Sequence, residues 1–229
     1  MPASKWSSYQ RTMPPSLNQP NLALAVVLLA AGRSVRMGQP KLLLPWGSTT
    51  ILGHLIQQWE SLDAARIAVV CAADDTAITK ELDRLEFPEK FRIYNPVPEL
   101  GMFSSIQCAA AWKGWDGEKL SHWAIALGDQ PHLRAETLLA LVEFTAKHSD
   151  KICLPRHGGH RRHPVLVPKY CWRQLADSPA RDLKQFLDSH ADEIAICDLE
   201  DAGLELDIDR PEDYEKAVRL KPQISDRSS

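Results

Sequence analysis

Residues 22–43 read LALAVVLLAAGRSVRMGQPKLL, and the fold is decided there. Leu22 to Ala31 is an unbroken aliphatic run stopped by Gly32, the pattern of a central strand covered by helices on both faces. The loop that follows carries Gly32 and Gly38, which allow close backbone approach, and gathers the cations Arg33, Arg36 and Lys41. Amide hydrogens and cations in such a loop suit a triphosphate. Lys41 lies three residues past Gly38, so this is not a Walker loop, and the absence of G-x-G-x-x-G spacing disfavours a nicotinamide or flavin enzyme. An ordinary strand-to-helix turn with solvated arginines is the competing reading.

Outward from this strand, helical and strand patterns alternate. Thr49 or Thr50 is placed to cap a helix through Leu62, Arg66 to Ala73 reads as a second apolar strand, Asp74 or Asp75 opens a helix toward Leu85, and Phe91 to Asn95 reads as a weaker strand. A helix over Met102 to Trp112 precedes a strand over His122 to Leu127, and Arg134 to Lys147 has helical spacing. Short strands at Lys151 to Leu154 and Val165 to Val167 flank a Gly/His/Arg turn, with helices near Tyr170 to Leu175 and Pro179 to His190. Glu193 to Cys197 and Leu204 to Ile208 read as final strands before a helix with Pro211 in its first turn. Strands alternating with helices and no linker predict one α/β domain over residues 22–220 on a mostly parallel sheet, with a disordered tail at 1–21 and a flexible tail at 221–229.

The 229 residues carry 27 Lys+Arg against 30 Asp+Glu, a formal charge of −3, which gives no bulk attraction to nucleic acid or anionic membrane. Neither is expected as a partner. Five scattered cysteines without a C-x-x-C pair argue against a disulfide framework and for a reducing cytoplasm. Lys5 and Arg11 ahead of the apolar run have the outline of a secretory signal, but cleavage there would destroy the strand supporting the glycine loop. Of the seven tryptophans, Trp6 and Trp115 are expected to be exposed, and groove filling is favoured over a partner surface.

Gly128-Asp129-Gln130-Pro131 follows an apolar strand directly, where side chains of an open parallel sheet reach the ligand crevice. Asp129 is placed there to bind magnesium, which takes one or two carboxylates plus substrate phosphates, and Asp207-Ile208-Asp209 supplies the second acid. Strand alternation would put Asp207 and Asp209 on one face with Asp209 nearer the tip. An Asx turn and a helix cap are the structural alternatives for Asp129 and Asp209. Gly158 to Val165 holds Arg161 and Arg162 in a flexible turn, a shape that can clamp an acceptor phosphate or remain a solvated basic hairpin. His157, His160 and His163 recur every three residues, but a zinc site is not expected beside arginines without a nearby cysteine or acid.

The pattern L-A-A-G-x-S-x-R-M-G-x-x-K-L-L, present over Leu29 to Leu43, resembles the signature of nucleotidyltransferases similar to molybdenum cofactor cytidylyltransferase, with a MobA-like NTP transferase domain. The resemblance spans about residues 24 to 218 and implies a Rossmann-like three-layer fold of the nucleotide-diphospho-sugar transferase kind, with a mostly parallel mixed sheet. By that resemblance Ala30, Ala31, Gly32, Arg33, Ser34, Met37, Gly38 and Lys41 hold the nucleotide, with Gly101, Ser104, Ser105 and Gly128 beside it; Lys41, Arg36 and Asp129 are catalytic, and Asp129 and Asp209 bind Mg²⁺. The hydroxyls of Ser104 and Ser105 are equally suited to plain helix capping. Arg161, His163, Pro164 and Arg181 would face the acceptor. Ala-Ala-Gly rather than Ala-Gly-Gly leans toward CTP over GTP. Two departures fall on the acceptor side: Arg161-Arg162-His163-Pro164 stands where the related motif reads R-G-[HN]-P, and Ser178-Pro179-Ala180-Arg181 replaces a glycine-rich segment.

The expected activity is transfer of CMP from CTP to a phosphorylated acceptor such as molybdopterin, releasing pyrophosphate, with a client molybdoenzyme as a further partner. A sugar- or alditol-phosphate nucleotidyltransferase, or a maturation chaperone that binds a pterin or nucleotide without turnover, is the alternative. Paired acids beside a phosphate loop favour the enzyme.

Overall fold

Strand β1 (Leu24–Leu29) shows why the opening run is apolar throughout: Leu24, Val26 and Leu28 enter one core and Ala25 and Val27 the other. With period two, a strand buried on both faces needs apolar residues at every position. The computed structural model describes residues 22–220, so the expectations for the two tails, and for Trp6, lie outside the described residues.

After β1 a hairpin of β2 (Pro45–Trp46) and β3 (Thr49–Thr50) leads into α1 (Ile51–Ser61), where the Thr50 hydroxyl accepts from the Gly53 amide. Then follow β4 (Arg66–Ala72), α2 (Thr76–Arg84), β5 (Arg92–Asn95), α3 (Met102–Ala110), β6 (His122–Leu127) and α4 (Ala135–Lys147). The remaining elements are β7 (Ile152–His157), β8 (His160–Arg161), β9 (Val165–Pro168), α5 (Lys169–Leu175), α6 (Leu183–Ser189), β10 (Ile194–Asp198) and α7 (Pro211–Leu220). The main sheet runs β10-β7-β9-β6-β1-β4-β5, with β8 paired to β7. Neighbours are parallel except where β9 runs against β6 and β7, and where β8 turns back on β7. This is the expected three-layer α/β fold with a mixed, mostly parallel sheet. One core lies under α1, α2 and α4, the other under α3, α5 and α6.

Three local expectations are corrected. Leu204 to Ile208 is not a strand: Ala202–Glu205 forms a 3-10 turn, and Ile208 then donates one backbone hydrogen bond to the Asp129 carbonyl at 3.1 Å, so the segment docks at a point without a ladder. The helix expected from Pro179 starts only at Leu183, because Asp182 is its cap, accepting from the Gln185 amide at 2.7 Å. Trp115 is not exposed; it is buried edge-on against Trp112, Trp123 and Trp172, while Trp123 and Trp172 stack at 5.4 Å. Among the described residues no helix is long and apolar enough to cross a membrane.

Two buried histidines make the fold sensitive to acid. His132 is 1 % exposed and its Nε2–H donates to the Gly203 carbonyl at 2.9 Å; His122 is 3 % exposed and donates to Ser149. Burial pushes both imidazoles below their ordinary pKa, with backbone hydrogen bonds opposing it. The unfolded chain therefore takes up protons first, so this stability is fully present above about pH 6.5 and is lost as the pH falls below it. Thermal melts from about pH 7.5 to 5.5 should show a falling Tm, with a shallower fall in His132→Gln, which keeps a donor for Gly203. Equal slopes would remove His132 as a cause.

Candidate active site

The site forms where β1 and β6 end side by side, with Leu29 opposite Leu127 in parallel register. The chain runs from β1 outward to β4 and β5 and returns to β6 on the other side, so this is the switch point at which open α/β sheets bind ligands. Gly128 is required by packing. A Cβ there would lie 2.7 Å from the Leu29 carbonyl oxygen and 2.9 Å from Leu42 Cδ2. The next residue, Asp129, is thereby brought to the mouth of the sheet.

Three remote segments meet at one ammonium group. Lys41 Nζ donates to Asp129 Oδ2 at 2.7 Å, to the Ile208 carbonyl at 2.9 Å and to Asp209 Oδ1 at 3.2 Å. Lys41 is 13 % exposed and Asp129 20 %, so their attraction is screened less than that of a surface pair. Arg36 reaches the other oxygen of Asp209 at 3.2 Å, and Gln130 donates to Asp207 at 2.9 Å, tying the 129–130 and 207–209 segments together. Although Asp207 is solvent-exposed as a residue, the protein around its carboxyl pushes its pKa up, as do the charges of Asp129 and Asp209, against the hydrogen bond from Gln130 and the charge of Lys41. Three carboxylates thus face two cations.

The glycine loop is closed upon itself. The Ser34 hydroxyl accepts the Lys41 amide at 3.1 Å, Gly38 takes the left-handed conformation at φ 67°, and Met37 is buried in the core. Met37 therefore anchors the loop, and Ser34 shapes it. Arg33 pairs with Asp74 at 3.0 Å at the rim. A cleft of about 410 Å³ lies against the loop, lined by Ala31, Gly32 and Arg33 of the loop, by Gly101, Met102 and Ser105 at the start of α3, and by Lys41 and Asp129.

The remaining candidates divide. Ala30 is buried and its amide bonds to Val70, while the Ser104 hydroxyl is spent on the Gly101 and Val97 carbonyls; neither lines the cleft. Pro164 is buried next to His163. His163 keeps its Nδ1 buried without a partner; burial lowers its pKa, and the Ile125 backbone and the nearby Asp129 charge oppose that. The two acceptor-side arginines are not brought to the cleft: Arg161 pairs with Asp188 at 3.3 Å, and Arg181 bonds to Gln185. Asp207, a candidate second acid in the sequence, instead accepts from Gln130, and Asp74, a candidate helix cap, pairs with Arg33 while Asp75 caps the helix. Asn95 and Gln130 have roles the sequence did not assign; Gln130, inside G-D-Q-P, carried a signal and Asn95 did not.

Acids facing a loop of glycines and cations, at the carboxyl edge of such a sheet, are the architecture of the α/β nucleotidyltransferases. The chain belongs within that class to the MobA-like NTP transferase domain family, whose model matches residues 26–194. It is 28 % identical over 203 residues to the molybdenum cofactor cytidylyltransferase of Escherichia coli K12, covering 88 % of this chain and 99 % of that protein. Among solved structures, the Rv0371c homolog from Mycobacterium sp. strain JC1 superposes with a TM-score of 0.68 at 25 % identity, over 87 % of this chain and 98 % of that one. Rv0371c of Mycobacterium tuberculosis H37Rv, in a complex with manganese, superposes with a TM-score of 0.64 at 20 % identity, over 86 % of this chain and 98 % of that one.

Gly128→Ala should destabilise the protein by about 1–3 kcal/mol, the ordinary cost of overpacking, because one of the two atoms met is backbone. Urea unfolding measures this, and an unchanged midpoint would mean that the β1 and β6 ends are free to separate.

Proposed function

We propose that this protein transfers CMP from CTP to a phosphorylated acceptor, molybdopterin in the first place, with release of pyrophosphate. The observation that carries the reading is the meeting of Asp209 with Asp129 and Lys41, the latter two lining a cleft that the glycine loop also lines. The near full-length likeness to a molybdenum cofactor cytidylyltransferase and the Ala31 side chain on the cleft wall support this nucleotide and acceptor. Arg161 and Arg181, engaged away from the cleft, lend the pterin no support, and for that reason a sugar or alditol phosphate stays as the second reading of the acceptor.

Whether the residues suit magnesium can be judged from their chemistry. Asp129 and Asp209 offer hard oxygens, and Asp129 Oδ1 is buried without any hydrogen-bond partner, a lone pair that a cation would satisfy. Magnesium takes one or two carboxylates and completes its shell with phosphates and water, a number that Asp129 and Asp209 would supply. When bound, magnesium neutralises charge on the phosphate oxygens. Rv0371c, in its manganese complex, gives the divalent reading a precedent on this fold.

In the proposed reaction an acceptor phosphate oxygen forms a bond to the α-phosphorus of CTP while the bond from that phosphorus to the bridging oxygen breaks. The electron pair leaves on pyrophosphate. The attacking phosphate is already anionic near neutral pH, so this chain needs no general base. Its residues position two anions and stabilise the charge that builds between them: Lys41, Arg36 and the loop amides of residues 32–36 act as preorganised donors, those of Met37 and Gly38 being bonded within the loop. All three N–H groups of Lys41 are engaged, so it must release at least one oxygen to reach a phosphate. The five cysteines, all free and four of them buried, support work in the cytoplasm.

Pyrophosphate release should be fastest with CTP among the four NTPs, and with molybdopterin over sugar or alditol phosphates. Asp129→Asn should lower turnover about 10²-fold or more. Nucleotide binding without turnover for any acceptor would favour the chaperone instead. Lys41→Met, which removes the cation from the two acids, should bind Mn²⁺ more tightly than wild type when no nucleotide is present, read by electron paramagnetic resonance; equal affinity would separate Lys41 from the metal position.

A further inference from the structure

The part of the cleft lined by the 98–105 segment is held by a residue that does not line it. Asn95 closes strand β5 and is 0 % exposed. Its amide nitrogen donates to the Ser104 hydroxyl at 2.8 Å and to the Ser105 hydroxyl at 2.9 Å, and its oxygen accepts the Val97 amide at 2.9 Å. The backbone carbonyl of Asn95 accepts from the Ala73 amide at 2.9 Å, which fixes the residue to the end of the sheet. Ser104 passes the constraint on, donating to the Val97 and Gly101 carbonyls.

One side chain therefore joins the strand end, the 97–101 turn and the first turn of α3. The cap of α3 is Gly101, at φ 90°, which has no side chain to offer the free amides, so the start of the helix is tied down by Ser104 and by Asn95 behind it. The parts so fixed are those that face the cleft, namely Pro98, Glu99, Gly101, Met102 and Ser105. Lys41 and Asp129 also line the cleft, but are bound to other segments and share no hydrogen bond with the Asn95 network.

We propose that Asn95 is a positioning residue for the nucleoside half of the NTP: by locking Ser104 and Ser105 it fixes the 98–105 wall, while the phosphate half depends on the loop and Lys41. This rests on the nucleotide reading of the cleft. A chain that could lose the wall and keep the phosphate cradle would separate the two halves of its ligand energetically. Asn95 contributes geometry only, and contacts no reacting atom.

Isothermal titration of Asn95→Asp with CTP and with inorganic tripolyphosphate makes the comparison. The substitution keeps an acceptor for Val97 and removes both N–H donors. The Kd for CTP should rise about tenfold, the scale of two lost hydrogen bonds, while the Kd for tripolyphosphate stays within about twofold. A role confined to stability would lower Tm and leave both constants alone at temperatures where the variant is folded. If Asn95→Asp does not fold, Ser104→Ala, at a residue that does not line the cleft, removes one of the two bonds together with those of Ser104 to Val97 and Gly101, and should weaken CTP several-fold while tripolyphosphate stays within about twofold. An unchanged CTP affinity, or equal losses for both ligands, overturns the proposal. Wild-type protein that binds tripolyphosphate but no NTP better than it would instead overturn the nucleotide reading itself, along with this inference.

Discussion

The rest of the site depends on a single problem of charge: Asp129 and Asp209, from segments eighty residues apart in the chain, are both held within 3.2 Å of one ammonium nitrogen. Two carboxylates this close repel each other unless a cation sits between them, and removing one partner of a partly buried set leaves charge uncompensated. Lys41 is that cation. Its third bond, to the Ile208 carbonyl, fixes the backbone that carries Asp209, so neutralisation and positioning are one interaction.

The sheet makes this meeting possible. Parallel β1 and β6 end at the same level, Gly128 lets them approach, and the chain leaves each strand into a loop that carries one charged partner. The third segment has no strand to order it. It is secured by the Ile208 amide on the Asp129 carbonyl, by Gln130 on Asp207, and by the fully buried Ile208 side chain in the core. The 98–105 lining is built separately, from β5 and the start of α3, and its order comes from hydrogen bonds instead of charge. A cleft with one electrostatic side and one hydrogen-bonded side suits a ligand that is polyanionic at one end and heterocyclic at the other.

Much of this was legible in residues 22–43 and in G-D-Q-P, because period-two burial and a glycine at a strand end are local signals. The strand β1, its loop, Lys41 and Asp129 could all be placed from them. Leu204 to Ile208 misled because alternating apolar residues look the same whether they join a ladder or dock through one bond; the difference lies in a distant partner, the Asp129 carbonyl. The charge of Arg161 beside its glycines suits a phosphate clamp and a solvated hairpin alike, and its pair with Asp188, on another element, leaves no trace in the local sequence. Asn95 was invisible for the opposite reason. An asparagine at a strand end reads as a turn residue, and its hydroxyl partners lie nine and ten positions away on a helix whose facing is set by the fold.

The central claim, that two distant acids share one cation site which Lys41 fills until substrate arrives, is tested most directly by anomalous diffraction from crystals grown with CTP and Mn²⁺. The account predicts a manganese peak touching the carboxylates of both Asp129 and Asp209, with the Lys41 ammonium drawn off at least one of them toward phosphate. A nucleotide bound with manganese elsewhere, and Lys41 still bridging both acids, would contradict it.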